Sequence, residues 1–183
     1  MLDQNKDGII MPPIDEIDRR TDVVFLLFHH ANEINGVTKV QKLLFLVEQE
    51  TDFFQEYEED IAFNFAPYKM GPFSENVYTE LEFLLSMGAI SSHPMDKPEV
   101  SMTDSELSQK TFRITSKGEK IAAQLSNQLE PEYDDELRDI VETYNNLPLR
   151  ELLRYVYQTY PNFAAESEIL TELGLDNSLA TSQ

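Results

Sequence analysis

The 183-residue sequence contains no cysteine, and this absence removes several classes of chemistry. Disulfide frameworks, cysteine-ligated zinc or iron–sulfur centres and cysteine nucleophiles are all excluded. A P-loop, a G-x-G-x-x-G loop, a G-x-S-x-G nucleophile elbow and an HExxH zinc motif are also missing,. The sequence therefore gives no support to an enzymatic function, and it predicts neither a cofactor nor a metal site.

Long apolar runs are absent as well. The longest extends from Val23 to Phe28, whereas a membrane-spanning helix requires about 20 residues. The N-terminal residues lack a basic region followed by an apolar run, so they do not resemble a signal peptide. We therefore expect a cytoplasmic protein that has no membrane partner.

Positive charge is scarce, because 14 Lys+Arg residues stand against 34 Asp+Glu residues and the formal net charge is −20. Such an excess of one sign destabilises the folded state by self-repulsion and opposes approach to DNA or to an anionic membrane. In molar salt the Debye length falls to about 3 Å and this repulsion is screened. The composition fits a halophilic host and, equally, an ordinary acidic cytosolic protein.

Apolar periodicity and chain breakers predict a mainly α-helical protein. Capping boxes are predicted at Thr38 with Gln41 and at Ser116 with Glu119, and Ser74 is predicted to cap another helix,. Three short strands are predicted at 61–65, 89–92 and 111–115.

The predicted order is helix, helix, strand, helix, strand, loop, strand, helix, which is the order of a winged helix-turn-helix. Residues 89–115 would form the wing hairpin, and 74–87 would take the place of the recognition helix. The expected fold class is therefore α+β, mainly α with a small β wing and a C-terminal helical pair. The predicted boundaries are a flexible N-terminal tail (1–17), a winged-helix domain (18–129), a helical pair packed on it (130–161) and a polar tail (162–183).

Two segments carry a family resemblance. Residues 36–45 read GVTKVQKLLF, residues 65–74 read FAPYKMGPFS, and a Gly-Ala-Ile strand start follows at 88–90. These segments resemble the T-K-L-Q-K-L-L-F helix, the Y-G-P-F/Y-S loop and the G-x-I strand of the YwgA-like and SocA-like (Panacea) proteins of bacteria and archaea. The resemblance covers residues 18 to about 129. It implies an antitoxin or a proteolytic adaptor that works by protein contact.

The loop at 68–74 is the leading candidate for a partner-binding site. Its Gly-Pro step sets a turn and Phe73 is placed to pack on the helix start, which is a purely structural interpretation. Beside a helix N-terminus, Tyr68, Lys69 and Phe73 could also anchor a partner peptide or an anion. The functional hypothesis is a non-enzymatic regulatory protein of antitoxin-like or adaptor type that binds a partner protein. A homodimer is also compatible with the sequence.

A DNA-binding transcriptional regulator is the alternative hypothesis. Basic residues gather at the last wing strand and the helix after it, namely Lys110, Arg113, Lys117 and Lys120, with Lys39 and Lys42 as further candidates. The predicted recognition helix opposes this hypothesis, because it contains three glutamates and no cation. Only Asn76 and Thr79 offer base-reading groups there.

Two patterns suggest metal ligands without completing a site. His29 and His30 are adjacent in a predicted helix and point about 100° apart, so they cannot easily share one ion. His29 with Glu33 has usable spacing but lacks a third ligand,. Residues 3–8 match the first part of a calcium-binding loop, but Ile14 stands at the position of the bidentate glutamate,.

Overall fold

The computed structural model describes residues 3–4, 10–11, 19–96 and 106–175. Within these residues the chain forms seven α-helices. They are α1 (Arg20–Ala31), α2 (Val37–Glu50), α3 (Asp52–Ile61), α4 (Glu75–Ser86), α5 (Ser116–Gln128), α6 (Pro131–Tyr144) and α7 (Leu149–Thr159). No helix in the described residues combines the length and the apolar character that a bilayer crossing requires.

The strands are short and antiparallel. They are β1 (Asp3–Gln4), β2 (Ile10–Met11), β3 (Glu33–Asn35), β4 (Ala66–Tyr68), β5 (Gly71–Phe73), β6 (Ile90–Pro94) and β7 (Lys110–Ile114). β1 pairs with β2, β4 pairs with β5, and a three-stranded sheet has the order β3–β7–β6. The central Phe112 lies opposite Ile34 on one side and Ser92 on the other. The prediction of a mainly α-helical α+β protein with a small antiparallel β component is confirmed.

Helix α1 lies at the centre of the molecule. Its residues 23–28 are all apolar and all buried, because α3, α4, α5 and α6 pack around it. A helix that is apolar on every side is stable in water only when other elements cover it completely. The apolar run at 23–28 is therefore the buried centre of the core helix.

Helix α2 is buried more completely than its apolar pattern predicts. Val40, Leu43, Leu44 and Val47 have the three- and four-residue spacing of one helix face and form a buried apolar stripe,. Every other residue from 37 to 47 is buried as well, including the polar ones. Helices α3, α4, α6 and α7 and strand β5 all contact α2, so its polar residues face protein rather than water.

Both predicted capping boxes are wrong. Gly36, which has φ of 86°, precedes α2, so Thr38 lies inside the helix, and no side chain of the described residues caps its N-terminus. Thr115, rather than Ser116, caps α5 by accepting a hydrogen bond from the Gly118 N–H. In each case the glutamine or glutamate expected to complete the box contacts a distant element instead.

The cap predicted for the helix after the hairpin is confirmed. The Ser74 hydroxyl accepts a hydrogen bond of 3.2 Å from the Asn76 N–H at the start of α4, and Glu75 lies in the first turn. The helix ends at Ser86, and Gly88, two residues later, has φ of 74°, the left-handed conformation that follows many helix C-termini,.

The strand predicted at 61–65 is wrong. Ile61 ends α3, the Ala62 N–H donates to the Glu58 carbonyl, and residues 62–65, all of them described, form no strand. The alternation that suggested a strand arises because Ile61 and Phe63 are both buried on either side of the helix end. The first strand of the three-stranded sheet is β3 instead, which the predicted order of elements does not include.

The C-terminal region is ordered further than predicted. The helical pair is present as α6 and α7, and α6 contacts α1, α2 and α3. Beyond it, the expected polar tail instead forms a 3-10 helix at Pro161–Ala164 and continues in packed structure to residue 175. This stretch buries four apolar side chains, Ala164, Ile169, Leu173 and Leu175.

Candidate protein-binding site

The three predicted partner-binding residues lie together on the hairpin formed by β4 and β5. Tyr68 ends β4, Phe73 ends β5, and Lys69 lies in the turn between the strands. The rings of Tyr68 and Phe73 have centroids 5.1 Å apart, and the Lys69 ammonium lies 5.8 Å from the centre of the Tyr68 ring. Tyr68 is 47% exposed, whereas Phe73 is half-buried.

The aromatic surface continues from the hairpin onto α4. The ring centroid of Tyr78 lies 5.8 Å from that of Phe73, so Tyr68, Phe73 and Tyr78 form a row of three rings, here called the aromatic ladder. One turn further along α4, Phe83 is 48% exposed. Tyr68 and Phe83 are the exposed large hydrophobic side chains of the described residues.

Buried polar side chains of helix α2 form hydrogen bonds to strand β5 and to the residue that follows it. The Lys42 ammonium donates a hydrogen bond of 3.0 Å to the Pro72 carbonyl in β5. The Gln41 carboxamide donates to the Ser74 carbonyl (2.9 Å) and accepts from the Ser74 N–H (3.1 Å). Complete burial lowers the pKa of Lys42 to about 7, because removal from water disfavours the charged form.

A second set of contacts fixes the chain between α3 and the hairpin. The Glu48 carboxylate accepts a hydrogen bond of 2.9 Å from the Phe63 N–H, and burial raises the pKa of Glu48 to about 7. The Phe63 carbonyl in turn accepts from the Ser74 hydroxyl (2.5 Å) and from the Asn76 carboxamide (3.1 Å). The start of α4 and the segment before β4 are thereby joined.

Helix α7 and the segment after it hold the opposite side of the hairpin. Gly71 has φ of 87°, and a Cβ at this position would lie 2.5 Å from Cε1 of the buried Tyr157. The Ser167 hydroxyl donates to the Tyr157 hydroxyl (2.9 Å), and the Glu168 N–H donates to the Lys69 carbonyl (2.9 Å). The hairpin therefore presents the exposed Tyr68 and the half-buried Phe73 on a backbone that α2 and α7 hold from two sides.

The sequence reasoning missed this supporting role of α2. Assigning Lys39 and Lys42 to a surface basic patch is wrong, because both are buried. The Lys39 ammonium donates to the carbonyls of Asn145 (3.2 Å) and Leu147 (2.9 Å) after α6. One signal was available in the sequence, since residues 37–47 contain two lysines and no acid in a chain of net charge −20. Exposed lysines in such a chain would usually lie near carboxylates.

The four residues proposed for DNA binding lie in β7 and the start of α5. Lys117 and Lys120 are exposed, and neither forms an ion pair with any described residue. Arg113 is neutralised by Glu33, whose carboxylate accepts from its Nε at 2.5 Å. Lys110 is half-buried at the start of β7. The structure thus leaves two exposed cations of the predicted set, Lys117 and Lys120, without an ion pair to any described residue.

The helix predicted to read DNA presents acidic groups. Glu75 and Glu82 are exposed on α4, and the helix contains no cation. Of the two base-reading candidates, the Asn76 carboxamide donates to the Phe63 carbonyl, and the Thr79 hydroxyl is directed to the Glu75 carbonyl (3.4 Å). Both candidate groups therefore make contacts within the protein.

The two adjacent histidines contact different helices. His29 Nδ1 lies 2.8 Å from a carboxylate oxygen of Glu119 in α5, and His30 Nε2 lies 2.9 Å from Asp134 in α6. Burial lowers the pKa of His30. Among the described residues no group of three histidine, aspartate or glutamate side chains could hold a metal ion. The calcium-like pattern at 3–8 lies largely outside the described residues.

A cluster of phenols around Glu50 was not anticipated from the sequence. The hydroxyl groups of Tyr144, Tyr155 and Tyr160 donate to the Glu50 carboxylate at 2.6, 2.8 and 2.7 Å. Desolvation raises the pKa of all three tyrosines. Glu50 is exposed at the end of α2, so the cluster joins that end to the C-terminal helices.

Comparison of the chain with models of protein families, with curated proteins and with solved structures finds no match.

Proposed function

We propose that this chain is a non-enzymatic regulatory protein that binds a partner protein through the aromatic ladder and Lys69. The observation that carries the proposal is an aromatic side chain, Tyr68, that stays 47% exposed on a hairpin held by buried hydrogen bonds from Lys42 and Gln41. Exposed aromatics on a rigid support are the residues that contribute most to protein interfaces, because binding them costs little conformational entropy.

The role that this binding would serve is of antitoxin-like or adaptor type. The segments at 36–45 and 65–74 that resemble the Panacea proteins are the same two that meet in this site, through Lys42 with Pro72 and Gln41 with Ser74. We also propose a winged-helix arrangement as the scaffold. The strand order β3–β7–β6, with α4 leading directly into β6, supports it.

Replacing Tyr68 by alanine is expected to weaken partner binding by about thirtyfold, the effect of about 2 kcal/mol that an interface anchor typically has. The partner is first captured with a photo-crosslinking amino acid at position 68 and identified by mass spectrometry. The purified partner is then titrated against the natural protein and the variant by calorimetry. Glu132→Ala, at an exposed position of α6, is the control.

The control variant is expected to bind as the natural protein does. A Tyr68→Ala variant whose melting temperature and partner affinity both equal those of the natural protein would contradict the proposal.

The alternative function, transcriptional regulation by DNA binding, rests on Lys117 and Lys120. These exposed lysines are separated by one turn of α5 and have no ion-pair partner among the described residues. Since each phosphate contact releases counterions, two contacts would give a log–log salt slope of about −1.8, and all four predicted cations would give about −3.6.

A DNA titration separates the two functions. If the protein acts by binding a partner protein, fluorescence anisotropy with DNA from upstream of its own gene is expected to show no saturable binding. Saturable, salt-sensitive binding that is lost in the Lys117→Glu, Lys120→Glu double variant would instead establish the regulator. The double variant should fold normally, because both side chains are exposed.

A further inference from the structure

The exposed face of α4 extends the aromatic ladder with carboxylates. Glu75, Tyr78, Thr79, Glu82 and Phe83 follow one another at the three- and four-residue spacing that places side chains on one helix face,. Tyr78 joins this face to the hairpin through its contact with Phe73. From this face we infer that the partner is recognised through a basic amphipathic segment, with arginine or lysine against the glutamates and apolar residues against the exposed aromatics. The inference rests on the proposed function and adds the chemistry of the partner.

The carboxylates of Glu75 and Glu82 are available for such contacts. Neither forms an ion pair or a side-chain hydrogen bond with any other described residue. Glu80 of the same helix behaves differently, because its carboxylate accepts a hydrogen bond of 2.6 Å from the Thr21 hydroxyl in α1. The helix thus uses one glutamate to pack on the core and leaves two facing solvent.

The aromatic rings favour cations in addition to apolar groups. A guanidinium or ammonium group is attracted to the face of a tyrosine or phenylalanine ring. A guanidinium group can also form a planar, bidentate pair of hydrogen bonds with a carboxylate. Lys69 already lies 5.8 Å from the centre of the Tyr68 ring. With a net charge of −20, the protein also draws basic segments towards itself and repels nucleic acids,.

Matched peptides test the inference. A short fluorescein-labelled peptide of arginine, leucine and alanine is titrated against the protein at about 0.15 M salt, alongside a peptide with glutamate in place of each arginine. The arginine peptide is expected to bind and the glutamate peptide is not. The Glu75→Gln, Glu82→Gln double variant should bind the arginine peptide about fivefold more weakly, since two exposed ion pairs are lost.

A control separates recognition by this face from general attraction to an acidic protein. The Glu132→Gln, Asp139→Asn double variant removes the same charge from exposed positions of α6, and its affinity should stay within about twofold of the natural one,. An equal loss in both double variants, equal binding of the two peptides, or no binding of the arginine peptide would each overturn the inference.

The captured partner distinguishes failure of this inference from failure of the proposed function. If the affinity of the purified partner depends on Tyr68 and also on Glu75 and Glu82, both are supported. If it depends on Tyr68 alone, the partner is bound through the aromatic ladder and the inference about its charge is overturned. If it depends on none of the three, both are overturned.

Discussion

Replacing Lys42 by methionine is expected to remove a rise in stability that the natural protein shows between about pH 7 and pH 10. Burial lowers the pKa of Lys42 to about 7 in the folded state, from the value of 10.5 that applies when the chain is unfolded. Over this window the unfolded state holds a proton that the folded state has released. The free energy of unfolding therefore increases with pH, by up to about 1.4 kcal/mol per pH unit for one proton.

The measurement is urea denaturation of the natural protein and the variant at intervals from pH 7 to pH 9. Tyrosines with raised pKa values, such as Tyr157 at about 12, act in the opposite direction only near and above pH 10, where the unfolded chain ionises,. Glu48, whose pKa is raised to about 7 by burial, lowers stability as pH rises from about 4.5 to 7, below this window,. The window from pH 7 to pH 9 therefore isolates Lys42 from these groups.

Methionine keeps most of the volume of the lysine side chain but leaves the Pro72 carbonyl without its donor. A buried acceptor left unpaired costs about 1–3 kcal/mol at every pH, so this loss does not alter the slope. Lys69→Met, which changes an exposed lysine, is the control and should keep the natural slope. An unchanged slope in Lys42→Met would show that Lys42 is protonated throughout this range.

Replacing Gly71 by alanine is expected to destabilise the protein by about 2–5 kcal/mol, the sum of two costs. The first is the positive φ of 87°, which a residue with a Cβ adopts at a cost of about 1–2 kcal/mol,. The second is overpacking, because the new methyl would lie 2.5 Å from a ring carbon of the buried Tyr157 and force the hairpin away from α7. Overpacking of this kind typically costs about 1–3 kcal/mol.

Gly88→Ala is the matched control for this substitution. Gly88 also has a positive φ, of 74°, but a Cβ there meets no atom of the described residues within 4 Å. It should therefore lose only the conformational part, about 1–2 kcal/mol. The difference between the two variants in denaturant unfolding measures how tightly the hairpin packs on α7. Equal losses at the two positions would contradict the packing described for Gly71.

Local patterns predicted the helices better than the strands or the caps. The apolar run at 23–28 and the stripe of α2 each required burial, whatever surrounded them, so both helices were predictable. The alternation of apolar and other residues at 61–65 did not indicate a strand. Ile61 is the buried last residue of α3 and Phe63 is buried just after it, which gives the two-residue spacing that a strand would show. Strand β3 has only three residues, which is too short to show an alternating apolar pattern. Its pairing with β7 defines it as a strand.

Part of the candidate site was also predictable. Tyr68 and Phe73 stand in an aromatic segment with a turn signal, and that pattern predicted a loop whose aromatic side chains could anchor a partner. The structure forms a β-hairpin there instead of a simple loop. The sequence does not predict the role of Tyr78 and the exposed face of α4, because glutamates on a DNA-reading helix only oppose DNA binding and point to no other ligand by themselves. A search for acidic and aromatic residues sharing one face would have found it.

The amino-acid sequence by itself determined the mainly α-helical class, the acidic composition and the presence of aromatic residues at 68–73, since each depends on residues close together in the chain. Only the tertiary structure decided that Lys42, Gln41 and Lys39 support the hairpin and the C-terminal helices rather than face water. Their partners are carbonyls 30, 33 and 108 residues away. Burying a polar side chain costs free energy unless it finds a hydrogen-bond partner. Whether a carbonyl of a distant segment lies within reach depends on how the elements pack.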